Sequence, residues 1–276
     1  MTNLTKLVLC LLSSFCLYGD MKENFHNPSF FESSSSVFLV HIPKAAGTSC
    51  RGFLINNFRN EQVISKKPSS RLEFYPTAYL DEIFKKRLPF MIENTDVFYF
   101  SHTPLYYLEN SMGKVSVLTL IRDPVKRQKS HINYFALLSL NPENKLFVLD
   151  QNKHKMTSAT TPNLQTLYLS LLNPFDSSIC MEKHLESAKF NLRYTIAFFG
   201  ITEWLQESLE EFLKKFGINQ TSKVTWENTS FDKKIPKIDM DLEKIKEANW
   251  ADIELYEFAK DLFLTRYPHY RTKFNR

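Results

Sequence analysis

The chain has 276 residues, of which 43% are hydrophobic, 14% aromatic and 24% charged. This composition is typical of a globular enzyme with one full core, and it excludes a disordered tail or a fibrous protein. The net charge of +5 is modest and no long run of lysine or arginine occurs, so the sequence does not indicate a surface dedicated to nucleic acid. An anionic substrate is compatible with this balance.

The first 19 residues differ in character from the rest of the chain. Lys6 precedes an apolar stretch of about a dozen residues, which is short for a membrane span of roughly 20 but matches the core of a signal peptide. We therefore predict a signal peptide over 1–19, with a short signal-anchor as the alternative. Residues 20–36 are polar and end in four serines, which predicts a flexible lead-in to a folded domain over 37–276. With either interpretation, this domain would face a lumen.

A lumenal location changes what is expected of the cysteines and the glycosylation triplets. The two cysteines of the first 19 residues would leave with the signal, so Cys50 and Cys180 could pair in an oxidising compartment or remain free thiols. The sequence leaves both alternatives open. The triplets that begin at Asn219 and Asn228 could carry glycans in the same compartment.

Beyond the lead-in, apolar β-rich runs alternate with helical patterns. This alternation predicts an α/β fold with a parallel sheet flanked by helices. The predicted strands cover residues 37–41, 96–100, 115–121 and 194–199. The predicted helices cover residues 48–58, 124–140, 163–172, 178–190, 203–216 and 251–267. The more polar segments predict loops or short helices, and they cover 141–162 and 218–249.

The segment 37–49 is typical of a buried strand that ends in a tight turn and the start of a helix. Gly47 would let the backbone approach a ligand closely, and Thr48 and Ser49 would open the helix with free N–H groups and hydroxyls. Lys44 adds a positive charge to the same place, so the segment indicates an anion site. It is not a triphosphate loop, because the lysine precedes the glycine. The alternative is an ordinary turn with a surface lysine.

The segment 117–130 has the same plan, with Arg122 at the end of a strand. Asp123 is the predicted N-cap and Pro124 the first helical residue. Three further cations crowd the helix start, where the macrodipole disfavours them, and these are Lys126, Arg127 and Lys129. An anion near Arg122 and Ser130 would offset that cost, although a solvated basic face is the favoured interpretation of the two lysines. Two anion sites in one domain predict a ligand with two separated phosphates.

These two segments resemble the phosphate-binding motifs of sulfotransferases. Residues 41–49, HIPKAAGTS, are similar to the 5′-phosphosulfate loop, and residues 121–130, IRDPVKRQKS, are similar to the 3′-phosphate motif. The resemblance is to the Golgi carbohydrate group that includes the heparan sulfate 2-O- and 6-O-sulfotransferases. It extends over about 37–266, and the other segments that agree with it are 163–166, 199–204 and 255–259.

The resemblance implies the sulfotransferase fold, which has a P-loop-like parallel sheet, and 3′-phosphoadenosine 5′-phosphosulfate (PAPS) as the sulfuryl donor, with no metal required. It implies a carbohydrate acceptor, including an anionic glycosaminoglycan-like polysaccharide, and no nucleic-acid partner. The implied location is the Golgi lumen or membrane, with a tether through the N-terminal segment, or secretion. Carried over by position, the 5′-phosphosulfate ligands would be Lys44, Ala46, Gly47, Thr48 and Ser49. The 3′-phosphate ligands would be Arg122 and Ser130.

The implied reaction also needs a base that removes the acceptor proton, while Lys44 can stabilise the charge on the leaving group. His102 follows a predicted strand at its carboxyl end, where open parallel sheets place ligands, and similar sulfotransferases have their catalytic histidine after this strand. An imidazole pKa of about 6.5 suits general-base work. We therefore predict His102 as the base, with a structural histidine as the alternative. His131 and His154 are reserve candidates, and His41 suits loop packing.

The chain departs from the family pattern at two places, and its acceptor contacts are the least defined part of the prediction. Ala45-Ala46 stands where relatives often have Thr-Gly or Thr-Ala, which removes a hydroxyl, and Leu167 stands where 6-O relatives commonly have an arginine. Basic side chains that could line a cleft are Lys66, Lys67, Arg71, Lys85, Lys86, Arg87, Lys153 and Lys155. Tyrosines that could stack on sugars are Tyr75, Tyr79, Tyr106 and Tyr107.

Two other function classes stay open. The first is a catalytically inactive, sulfotransferase-like glycan-binding module of the lumen. The absence of a lysine at position 44 or of a histidine at position 102 would have indicated such a module, and both Lys44 and His102 are present. The second is a nucleotide-dependent kinase, which the sequence does not support because it has neither a triphosphate loop nor an acidic metal-binding constellation beside one.

Overall fold

The computed structural model describes residues 37–61, 73–75, 98–111, 116–139, 161–215, 223–225 and 240–274. The predicted signal segment, the lead-in and both glycosylation triplets lie outside these residues. So do His154, Tyr79 and the basic side chains expected to line an acceptor cleft. No helix in the described part of the chain combines the length and the apolar character that a membrane span requires.

The described strands form one parallel sheet. They are β1 (Val37–Val40), β2 (Glu73–Tyr75), β3 (Phe98–Ser101), β4 (Ser116–Ile121) and β5 (Phe198–Ile201). Their order in the sheet is β2-β3-β1-β4-β5, and every described pair is parallel. The chain thus passes to one side of β1 and then to the other. Between β1 and β4 the strand order reverses, which is where open parallel sheets bind ligands, at the carboxyl ends of the strands.

The register brings the predicted site residues to one edge of the sheet. Val40, the last residue of β1, pairs with Ser101 on β3 and with Thr119 on β4. The loops that follow β1, β3 and β4 therefore leave from the same edge. The strands β1, β4 and β5 are buried at every position, because helices cover both faces of a parallel sheet.

Eight α-helices lie in the described ranges, and three short 3₁₀ segments accompany them. The α-helices are α1 (Gly47–Glu61), α2 (Pro124–Ser139), α3 (Leu164–Leu169), α4 (Met181–Tyr194), α5 (Leu205–Lys214), α6 (Leu242–Ala248), α7 (Trp250–Arg266) and α8 (Arg271–Phe274). The 3₁₀ segments are Leu105–Ser111, Thr202–Trp204 and Pro268–Tyr270. The predicted α/β fold with a parallel sheet and flanking helices is confirmed.

Most predicted elements are confirmed to within a few residues, and two are not. The strand predicted over 194–199 begins too early, because α4 continues to Tyr194 and both Thr195 and Ile196 still donate backbone hydrogen bonds to Asn191. A short apolar run does not distinguish the end of a buried helix from the start of a strand. The three-residue strand β2 was not predicted.

The sequence predicts one apolar stripe on α7, and the observed packing face differs from it by one residue. The predicted stripe comprises Ile253, Tyr256, Ala259, Leu262 and Phe263. Tyr256, Ala259, Leu262 and Phe263 are buried as predicted, whereas Leu255 is buried and Ile253 is only half-buried. At about 100° per residue Leu255 falls among the buried positions, because it lies one residue before Tyr256 and four before Ala259, whereas Ile253 falls at the edge of that face.

Cys50 and Cys180 are both free thiols, so the disulfide that the sequence left open does not form between them. Cys50 is buried in the core on α1, and Cys180 is exposed just before α4. Burial raises the pKa of the Cys50 thiol, which makes it a packing residue rather than a reactive one.

Candidate functional site

The loop after β1 has an unusual backbone. Lys44 and Ala46 adopt the left-handed region, with φ of 68° and 61°, which costs an L-residue roughly 1–2 kcal/mol. Two distant side chains hold the loop: Arg122 Nη1 donates to the Lys44 carbonyl at 2.8 Å, and Thr202 Oγ1 donates to the Ala45 carbonyl at 3.3 Å. Successive residues of opposite hand turn their N–H groups towards one concave side, which is a common anion-binding arrangement.

Gly47 begins α1 and lies directly against the ring of His41. A Cβ at this position would come within 2.0 Å of His41 Cδ2. The His41 ring fills the side of Gly47 on which a side chain would project, so the missing side chain serves this packing, and the predicted approach of a ligand to the Gly47 backbone stays a prediction. The left-handed conformation that glycine favours falls instead on Lys44 and Ala46.

We expect Gly47→Ala to lower the free energy of unfolding by about 1–3 kcal/mol, because the new methyl group displaces the His41 ring or the start of α1. Urea denaturation measures the loss. In a His41→Ala background the clash is relieved, so the same glycine substitution should cost much less. An equal cost in both backgrounds would contradict this account.

Lys44 carries a half-buried ammonium beside another cation. Burial and the neighbouring Arg122 lower its pKa to about 8, since both effects destabilise the charged form. Its Nζ lies 4.3 Å from the centroid of the Tyr134 ring on α2. A lysine in this setting gains from an anionic ligand.

Arg122 directly follows β4 and contacts the Lys44 loop. Its backbone is fixed by Gln165, whose Oε1 accepts from Arg122 N at 2.9 Å and whose Nε2 donates to Arg122 O at 2.8 Å. Its Nε is buried and has no hydrogen-bond partner among the described residues. Burial lowers the guanidinium pKa, and Glu203 and Asp123 oppose that shift. The side chain is therefore held in place with a donor still to be satisfied.

The start of α2 has the predicted cap. Asp123 Oδ1 accepts from Lys126 N at 2.9 Å, and Pro124 is the first helical residue. Asp123 N also donates to the carboxylate of Glu203 at 3.3 Å, and the Tyr256 hydroxyl donates to the same carboxylate at 3.1 Å. The cap that the sequence predicted is confirmed, and a distant carboxylate supports it.

The three cations at the start of α2 separate in the structure. Lys126 is exposed and Lys129 half-buried, as a solvated face requires. Arg127 is fully buried, its Nη2 donates to Gln128 Oε1 at 3.1 Å, and the charge of Asp252 stabilises it. Arg127 is therefore a core cation.

Asp252 joins α7 to α3 in a reciprocal cap. Its carboxylate accepts from Gln165 N at 3.1 Å, from Thr166 N at 2.8 Å and from Thr166 Oγ1 at 2.9 Å. In return, Asn163 Oδ1 accepts from Ala251 N at 3.0 Å and from Asp252 N at 3.2 Å. Each helix start is thus closed by a side chain from the other, and Gln165 is presented to Arg122 from a rigid base.

His102 follows β3 and stacks on His41, with ring centroids 4.1 Å apart. Its Nδ1 lies 2.7 Å from the His41 carbonyl oxygen. A carbonyl only accepts, so Nδ1 carries the proton and the neutral ring has its lone pair on Nε2. The backbone of His102 is held as well, because the Tyr168 hydroxyl donates to its carbonyl at 3.3 Å.

The remaining predicted ligands lie in the first turn of α1 and the second turn of α2. Thr48 is half-buried and Ser49 fully buried in the first turn of α1. Ser130 is half-buried on α2, two turns after Arg122. His131 beside it is buried, and burial together with Arg127 and Lys44 lowers its pKa to about 3, which keeps it neutral.

The sequence did not single out four side chains that support this site. Gln165 and Glu203 lie in segments that resemble the sulfotransferase group, and that resemblance was the available signal for them. Tyr134 and Asp252 gave no signal, since an aromatic or a carboxylate on a helix is ordinary in sequence. Among the described residues no group of three or more histidine, cysteine, aspartate or glutamate side chains is arranged to hold a metal ion.

Comparison with known proteins finds similarity to heparan-sulfate sulfotransferases. The chain is 40% identical over 111 residues to heparan-sulfate 6-O-sulfotransferase 2 of Homo sapiens, covering 38% of this chain and 18% of the relative. The Gallus gallus protein of the same name is 36% identical over 110 residues, covering 38% and 27%. Heparan-sulfate 6-O-sulfotransferase 3 of Mus musculus is 39% identical over 85 residues, covering 31% and 18%. These matches support the sulfotransferase family but do not separate its 2-O and 6-O types.

The extent of these matches is limited. The chain spans 18–27% of the length of the relatives just named. No family model matches it. The crystal structure of mouse sulfotransferase SULT7A1 complexed with PAP aligns at a TM-score of 0.36 and 13% identity, covering 72% of this chain and 66% of that one.

Proposed function

We propose that this protein is a sulfotransferase that moves the sulfuryl group of PAPS to a hydroxyl of a carbohydrate acceptor of the glycosaminoglycan type. The proposed 5′-phosphosulfate site comprises Lys44, Ala46, Gly47, Thr48 and Ser49. The proposed 3′-phosphate site comprises Arg122 and Ser130. We propose a location in the secretory pathway, with residues 1–19 as signal or anchor and 37–276 as the catalytic domain.

One observation carries the proposal: the cationic side chains of Lys44 and Arg122 lie close together at the loop before α1, in which Lys44 and Ala46 have left-handed backbone conformations. Arg122 is hydrogen-bonded to the loop itself, and the Arg122 charge contributes to the lowered pKa of Lys44. Placing two cations together is unfavourable unless an anion joins them. A sulfated phosphate fits this need, because it spreads negative charge over several oxygens that N–H groups and cations can share.

His102 is the proposed general base. With Nδ1 fixed on the His41 carbonyl, the Nε2 lone pair accepts the proton of the acceptor hydroxyl while its oxygen forms the new bond to sulfur. The bond between sulfur and the 5′-phosphate oxygen breaks, and adenosine 3′,5′-bisphosphate leaves. Lys44 stabilises the negative charge that develops on the leaving phosphate.

Calorimetric titration of the full chain with adenosine 3′,5′-bisphosphate tests the donor site, in parallel with ATP and without added metal. We expect selective binding of the bisphosphate, and we expect Arg122→Ala to weaken it. Lys126→Ala is the matched control, because Lys126 is an exposed cation of the same helix start. Absence of binding in a folded sample would overturn the donor assignment and favour a glycan-binding module without transferase activity.

Binding of the bisphosphate should weaken as the pH rises through about 8, the pKa of Lys44. Below this pH the ammonium is charged and attracts the 5′-phosphate. Above it each pH unit removes up to about tenfold of the affinity, since only the protonated fraction contributes. Calorimetry between pH 7 and 9.5 measures the slope. The Lys44→Arg variant keeps its positive charge over this range, so its affinity for the bisphosphate should not change with pH. An affinity of the unmodified protein that does not change with pH would contradict the role of Lys44.

A further inference from the structure

Tyr134 lies on α2, one helical turn after Ser130 and therefore on the same side of the helix. The centroid of its ring is 4.3 Å from Lys44 Nζ, well inside the range of about 6 Å over which a cation is attracted to an aromatic face. The ring is half-buried, so water screens this attraction less than at an open surface.

In the described part of the chain, the other groups around Lys44 do not stabilise its positive charge, which leaves this role to the Tyr134 ring. Arg122 is a like charge that lowers the Lys44 pKa. The pKa values of His41 and His131 are lowered mainly by burial and additionally by the charge of Lys44. Both rings are therefore neutral at pH 7. Among the residues that the structure describes, no carboxylate shifts the Lys44 pKa. The face of Tyr134 is thus the electronegative surface that the ammonium contacts in the described structure.

A lysine side chain has four rotatable bonds, and orienting it has an entropic cost. If the lysine side chain is already held near the proposed anion site, less conformational entropy is lost when the ligand binds. We propose that Tyr134 is a positioning residue whose ring holds the Lys44 ammonium over the loop through a cation–π contact, ready for an anionic ligand. The identity of that ligand as the 5′-phosphosulfate of the donor rests on the proposed function.

The contact is tested first without any ligand, by NMR titration of the lysine ammonium groups in the full chain, with Lys44→Arg used to assign the signal. Tyr134→Leu should lower the Lys44 pKa by about half a unit, since the ring stabilises the charged form. Tyr134→Phe keeps the ring face and should leave the pKa unchanged. An unchanged pKa in the leucine variant would overturn the proposal, and so would a phenylalanine variant that behaves like leucine.

The second measurement is calorimetry with adenosine 3′,5′-bisphosphate at pH 7. We expect Tyr134→Leu to weaken binding about two- to fivefold and Tyr134→Phe to bind like the unmodified protein. Equal affinity in all three proteins would overturn the positioning role. If the unmodified protein binds no bisphosphate, the proposed function fails, while the lysine titration still decides the contact. Thermal unfolding verifies that each variant is folded, and Tyr134→Met replaces the leucine variant if that one is not.

Discussion

Replacing His102 with alanine is expected to lower kcat for sulfuryl transfer by about 10²- to 10⁴-fold, the usual contribution of a general base. Binding of adenosine 3′,5′-bisphosphate should change little, because the acceptor proton is not involved in holding the donor. The physical reason is the tautomer: Nδ1 lies 2.7 Å from the His41 carbonyl, which puts the lone pair on Nε2.

The measurement is kcat with saturating donor, alongside the calorimetric affinity for the bisphosphate. His269→Ala is the matched control, since His269 is exposed in a 3₁₀ segment near the C-terminus, and its kcat should equal that of the unmodified protein. A His102 variant with full turnover would show that another group is the base. A parallel loss of turnover and bisphosphate affinity would instead indicate a structural histidine.

Asp252→Ala is expected to lower the free energy of unfolding by about 3–5 kcal/mol, because it leaves three buried donors without their acceptor and removes a charge that stabilises a buried cation. The substitution leaves the fully buried Arg127 without the charge that stabilises it. It also deprives Gln165 N, Thr166 N and Thr166 Oγ1 of their acceptor. Such a loss is a large part of the total stability of a domain, which is about 5–15 kcal/mol.

Urea denaturation measures this loss, and Asp261→Ala on the exposed side of the same helix is the control, with an expected change within about 0.5 kcal/mol. In an Arg127→Met background the Asp252 substitution should cost less, because no buried cation remains to be stranded. Equal costs in both backgrounds would contradict the coupling between the two side chains.

The hydrogen bonds of Asp252 also connect to the proposed anion site. Asp252 holds the start of α3, and Gln165 from α3 holds both backbone groups of Arg122. Arg122 in turn donates to the Lys44 carbonyl at 2.8 Å. Stability and anion binding are therefore expected to change together when this chain of hydrogen bonds is cut, whereas the proposed base, His102, depends on a separate contact with His41.

The sequence by itself determined the local parts of this protein. The strands before the two loops are mostly apolar runs, and such runs are typical of a sheet with both faces covered. The cap at Asp123 and the helix start at Pro124 depend on neighbours within three residues, so the pattern alone predicted them correctly. The parallel order of the sheet followed because strands joined through helices return in the same direction.

Only the tertiary structure decided which side chains surround the proposed anion site. Nothing local distinguishes Arg127, which is buried beside Asp252, from the exposed Lys126. Gln165 reaches Arg122 across 43 residues of sequence, and the left-handed conformations of Lys44 and Ala46 persist because Arg122 and Thr202 hold the loop. Burial, charge pairing and backbone strain depend on which distant residues meet, and that is fixed by packing rather than by any short pattern.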